Sequence, residues 1–169
     1  MASITQPLRD EHKELYPQIE LLRQTADVVN ESLTTQAHDR IEQAYNFLTR
    51  QLVAHAHAEE AALYPTVQKI MGSDLSTATM VRDHVEIARL TEELDSLRVH
   101  KSQLTITSIQ TAALRRVLYG LYAVLKLHLA KEEEIYLPLL DSKLTAEEAK
   151  SMFETMEAAY NEVKDRLPR

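Results

Sequence analysis

The chain has 169 residues, enough for one domain with a full-sized core. Lys and Arg total 19 against 26 Asp and Glu, and the net charge of −7 excludes the basic stripe that a duplex nucleic-acid binder needs. Cys is 0, which excludes disulfides and thiolate metal sites; 2 Gly and 5 Pro leave little turn punctuation. Good helix formers dominate, so the composition predicts an almost wholly helical domain.

The first residues, Met1 to Arg9, lack the apolar core of a signal peptide, and no run approaches the ~20 apolar residues that span a bilayer. A cytoplasmic location with no membrane partner is the expectation. A first helix opens at Thr5 and Pro7. Leu8, His12, Leu15, Ile19, Leu22, Ala26 and Val29 then alternate at spacings of four and three, an inward stripe with one histidine in it. After a polar stretch, Thr35 can cap a second helix with the stripe Ile41, Tyr45, Leu48, Leu52, His55, Glu59 and Leu63. It should run to about Ile70, stop at Gly72, and kink or break at Pro65. Ser73 or Asp74 opens a third helix through Met80, Val81, His84, Ile87, Leu94 and Leu97. The fourth carries Leu114, Val117, Leu121, Leu125, His128, Glu132, Ile135 and Leu139, and Asp141-Ser142-Lys143 ends it. Thr145-Ala-Glu-Glu148 is a capping-box pattern for a short fifth helix packed outside the rest. Short connections make consecutive helices antiparallel. The reading is all-α: one domain over 1–169, with an up-down-up-down four-helix bundle at about 8–140 and a short C-terminal helix at about 145–166.

Two copies of one pattern carry the chemistry: His55-Ala-His-Ala-Glu59 and His128-Leu-Ala-Lys-Glu132. Both are H-x-x-x-E, which on a helix aims one imidazole and one carboxylate to the same side. Each is followed by a tyrosine and a proline, Leu63-Tyr64-Pro65 and Tyr136-Leu137-Pro138. Counting at about 1.5 Å per residue along antiparallel helices brings His12, His55, His84 and His128 to a common layer, with Glu59 and Glu132 one turn on. A single inward histidine is commonly a satisfied core residue, and i,i+4 charge pairs are commonly surface features. Six ionisable groups on all four core stripes would instead be very costly without metal or paired charge. Imidazole with carboxylate suits Fe, Mn, Zn or Cu. Four His and two Glu exceed what one ion with an open position needs, and suit two ions bridged by carboxylates. His38 and His100 lie near helix ends and should be solvated. His57 falls on another face. Glu60 and Glu133 should face solvent or lie behind the ligands, with Glu60 the better additional candidate. The Tyr-Pro tails should close the bundle end.

This arrangement resembles the hemerythrin-like family, the HHE cation-binding domains, over about residues 8 to 140. The matching residues are His12 alone on the first helix, His55-x-x-x-Glu59 on the second, His84 on the third and His128-x-x-x-Glu132 on the fourth, with the flanking Glu59-Glu60-Ala-Ala-Leu-Tyr-Pro65. The resemblance implies two Fe ions with a bridging oxo or hydroxo group. His12 and His55 would hold one iron, His84 and His128 the other, and Glu59 and Glu132 would bridge. Oxygen-carrying members have a second histidine four residues after the one on the third helix, where this chain has Ala88. Their second carboxylate lies five residues after its histidine, where this chain has four. The missing imidazole points away from reversible O2 storage. It points toward a non-haem di-iron oxidoreductase, catalase-like or peroxidase-like, acting on hydrogen peroxide, nitric oxide or O2. The alternative is a non-catalytic O2, NO or iron sensor, or an oxygen-binding protein. The space at Ala88 is expected to be lined by Tyr16, with Leu121 and Leu125 across from it. Tyr16 is thereby the candidate to hydrogen-bond peroxide or to ligate iron.

Overall fold

The computed structural model describes residues 3–166; residues 1, 2 and 167–169, the ends of the span read as one domain, lie outside that description. Helix α1 is Gln6–Val28. It starts as expected, with Thr5 at its N-cap and Pro7 in its first turn, where a missing N–H costs nothing. Helix α2 is a continuous rod over 35–71, capped by the Thr34 side chain on the Ala37 N–H, one residue before the expected cap. Gly72 ends it in the left-handed conformation, φ 68°. A 3-10 turn capped by Ser73 leads into α3, Ala78–Leu97. Helix α4, over 108–143, opens with a Thr107–Gln110 capping box. Helix α5, Ala146–Arg166, opens with the expected Thr145–Glu148 box and, at 21 residues, is no shorter than α3.

Neither Pro65 nor Pro138 breaks its helix. Before each, the backbone widens into a π-helical turn, Glu59–Leu63 and Glu132–Tyr136. A wider turn moves the carbonyls that a proline ring would strike. Each π turn starts at the glutamate of an H-x-x-x-E motif. A third π segment, Phe47–Leu52, lies one turn before His55.

The four long helices enclose a core split in two. One apolar cluster, built on Ile19, Leu22, Leu48, Leu94, Leu118 and Leu121, fills one end. A second, with Leu8, Leu63, Met80, Leu137, Met152 and Met156, fills the other. The buried His12, His55, Glu59, His128 and Glu132 occupy the level between them. Helix α5 packs along Val53–Leu63 of α2 and adds its methionines to the second cluster. At the far end the two loops are tied together. Leu33 N–H donates to the Leu104 carbonyl at 2.9 Å, and Ile106 N–H to that of Glu31 at 3.0 Å. His38 joins this tie with Nε2 2.9 Å from the Gln103 carbonyl, so it is buried rather than solvated. No helix among the described residues is long and apolar enough to cross a membrane.

Candidate metal centre

All four helices bring their marked residues to one polar layer. His12, His55, Glu59 and Glu132 each offer an atom to a group within 4.8 Å of one another, and Glu59, His84 and His128 do the same. The carboxylates span the two groups. Glu59 Oε1 lies 2.8 Å from His55 Nε2, and its Oε2 lies 3.3 Å from His84 Nε2. Glu132 Oε2 lies 3.4 Å from His12 Nε2, and its Oε1 lies 3.5 Å from His128 Nε2. Each carboxylate thus turns one oxygen to each histidine pair.

The inner atoms are unsatisfied. His12 Nε2, His55 Nε2, Glu59 Oε1 and Glu132 Oε2 are buried with no hydrogen-bond partner among the described residues. His55 Nε2 and Glu59 Oε1 are close yet not aligned for a hydrogen bond. They share one small space with atoms of His12 and Glu132, all within 4.8 Å of one another. An unsatisfied buried polar atom costs about 1–3 kcal/mol, and a cation there would relieve four of them together. This donor set fits a metal.

Each histidine is held from behind. His12 Nδ1 lies 2.7 Å from Glu133, His55 Nδ1 2.9 Å from Glu11, His84 Nδ1 2.7 Å from Glu60, and His128 Nδ1 3.2 Å from Asp83. The pairs run around the bundle: α1 supports α2, α2 supports α3, α3 supports α4, and α4 supports α1. A carboxylate on Nδ1 fixes the tautomer, turns Nε2 inward and strengthens it as a donor. Glu60 and Glu133 therefore lie behind the histidines. Glu11 and Asp83 were not singled out from sequence, although a signal exists. Each directly precedes a stripe histidine, about 100° around the helix, on the flank that meets the next helix. Two of these carboxylates are held in turn by cations. Arg9 lies 2.5 Å from Glu133, and Lys131 pairs with Asp83.

Burial and neighbouring charge pull against each other in this layer. Burial alone would keep His55 neutral, but the Glu59 and Glu11 carboxylates hold its pKa well above the ordinary imidazole value. Burial likewise opposes charge on His128, and Glu59, Glu132 and Asp83 reverse that to raise its pKa. Glu59 is buried too, yet His55, with His128 and His84, holds it well below the usual carboxylate range. Glu132 is raised by its burial and by the charge of Glu59.

Tyr64 is the residue that sequence reasoning misplaced. Its hydroxyl donates toward Glu132 Oε1 at 3.2 Å and Glu59 Oε2 at 3.4 Å, and lies 3.3 Å from His84 Nε2 and 3.4 Å from His128 Nε2. Burial, then Glu59 and Glu132, push its pKa far above the usual phenol value, which keeps the proton on the oxygen. Tyr136 does close the bundle end, donating to the Ser76 carbonyl at 2.8 Å. Tyr16 does not line the space beside Ala88. That cavity, about 330 Å³, opens between α2 and α3 and meets His55, His84, Ala88, Leu125 and His128. Tyr16 lies on α1, across the bundle, with its ring centroid 5.1 Å from Lys126 Nζ. Leu121 is core. His57 and His100 are exposed, as expected.

The fold and this layer define a helical bundle with a buried histidine–carboxylate group able to hold cations. The model of the hemerythrin HHE cation binding domain matches residues 3–140, and the chain belongs to that family. Comparison with curated proteins gave no match, and comparison with solved structures gave none.

Proposed function

We propose that the chain is a non-haem di-iron protein that binds and turns over small oxidants, hydrogen peroxide first and nitric oxide or O2 next. The observation that carries the two-ion reading is the pair of carboxylates, each with one oxygen facing either histidine pair. His12 and His55 would hold one ion, His84 and His128 the other, and Glu59 and Glu132 would bridge. Two adjacent irons exchange a pair of electrons together, which is what peroxide chemistry requires.

The chain's own residues supply the rest. The four carboxylates behind the histidines hold the rings in one orientation and one tautomer. The apolar clusters above and below keep water from the inner face. Tyr64 holds a proton on its hydroxyl among His84, His128 and both glutamates, where it can donate a hydrogen bond to an oxygen of the substrate. The small side chain of Ala88 leaves a path to the histidines. Taken together, a path, a hydrogen-bond donor and an unsaturated donor set favour turnover over a closed sensor or oxygen store.

Oxygen evolution from peroxide by iron-loaded protein tests this reading. The expected rate is well above that of the same iron free in solution. An equal rate, or a stable reversible oxygenated spectrum with no turnover, would favour the non-catalytic alternative.

A further inference from the structure

We propose that the cavity beside Ala88 binds a neutral organic molecule with an apolar body, so that organic hydroperoxides fall within the oxidant class this centre receives. The proposal rests on the oxidant reading above and narrows it.

Size is the first argument. The cavity holds about 330 Å³, at the lower end of the range for organic ligands. A peroxide or diatomic molecule takes about the share of one water, roughly 30 Å³. A path for those alone would not need a chamber of this volume.

The lining is the second argument. Leu48, Leu52, Ile87 and Leu125 make apolar walls, and Ala56 on α2 and Ala88 on α3 are the small residues of the lining. Two threonines line it as well, but their hydroxyls are already committed. Thr49 donates to the Tyr45 carbonyl and Thr91 to that of Ile87, both at 2.8 Å. Both hydroxyls are turned back on their own helices, and little hydrogen-bonding capacity is left on the walls. Val163 adds a wall from α5, which gives the fifth helix a share in the site.

Charge is the third argument. Apart from the histidines, Glu92 is the one ionisable group in the lining, and it is exposed. Glu92 stands in solvent at the edge, so the walls between it and the histidines carry no charge and suit an uncharged body. An apolar body gains about 25 cal/mol for each Å² it removes from water there.

The probe is cumyl alcohol, the stable alcohol counterpart of cumene hydroperoxide. Its binding to the full chain, as purified with its metal, is read by calorimetry and by the shift in Tm, and metal content is measured on the same sample. Saturable binding with a raised Tm is expected. Ala88→Leu and Ala56→Leu fill the chamber from opposite walls, and each should weaken binding about tenfold. No saturable binding, or unchanged affinity in both alanine variants, would overturn the proposal. Binding by a sample that holds no iron would sink the di-iron reading and leave the cavity assignment standing. A sample full of iron that decomposes hydrogen peroxide but ignores cumyl alcohol would refute the cavity assignment alone.

Discussion

The tails of the two H-x-x-x-E segments carry Leu, Tyr and Pro in a different order, and that order decides which side chain reaches the polar layer. After Glu59 the chain reads Leu63-Tyr64-Pro65; after Glu132 it reads Tyr136-Leu137-Pro138. In both, a π turn places the fifth residue over the glutamate. The Tyr64 N–H donates to the Glu59 carbonyl, and the Leu137 N–H to that of Glu132. The first segment thus brings a phenol to its carboxylate, while the second has Leu137 at the matching position, a member of the apolar cluster. Tyr136, one position earlier, swings away to Ser76. A near-symmetric set of histidines and carboxylates acquires two unlike halves. One holds His12 and His55; the other holds His84 and His128 with the Tyr64 hydroxyl. The cavity touches His55, His84 and His128, while His12 is fully buried.

The largest effects should come from what the segments share. Glu59→Ala and Glu132→Ala should each lose more than half the bound iron, since each carboxylate faces both histidine pairs. His57→Ala should keep nearly all of it, and equal losses in all three would break the assignment. The tyrosines come next. If the Tyr64 hydroxyl hydrogen-bonds the oxidant, Tyr64→Phe should slow peroxide turnover about 100-fold with iron content retained. Tyr136→Phe should leave the rate alone and cost about 1 kcal/mol of stability, the worth of its hydrogen bond. Parallel behaviour of the two would erase the asymmetry.

The residues after the two glutamates sharpen the comparison further. Glu133 is 22% exposed and bound by Arg9; Glu60 is 44% exposed. Both variants to glutamine should weaken iron binding, within about 10–100-fold, with Glu133→Gln the more damaging. The smallest effect is in pH. In the metal-free fold the pKa values of His55 and His128 are raised. Their protons stabilise that fold fully below the unfolded imidazole value, about 6.5, and the contribution is lost as pH rises through the folded values. Metal binding requires both rings neutral. The gap in Tm between iron-loaded and metal-free protein should therefore widen from about pH 6 to about pH 8. A gap that narrows would show that these rings are not ligands.

The stripes were legible because a helix repeats nearly the same face every three or four residues, so His12, His55, Glu59, His84, His128 and Glu132 fell in phase with the leucines. Tyr64 was not. At about 100° per residue it lies about 140° away from Glu59, and only the π turn brings it over that residue. Pro65 announced a disturbance, but a kink and a π turn are both answers to a proline, and packing selects between them. His38 was misjudged because a position near a helix end looks solvated until the facing loop, here Gln103, is placed against it. Glu11 and Asp83 serve histidines on neighbouring helices, and such a pairing exists only once the bundle is assembled.

The central claim is a centre for two ions, and metal analysis of protein purified from iron-supplemented cells tests it most directly. The account predicts about two irons per chain, the stoichiometry of a bundle with paired carboxylate bridges. Protein that folds with unchanged stability and contains no iron would contradict it.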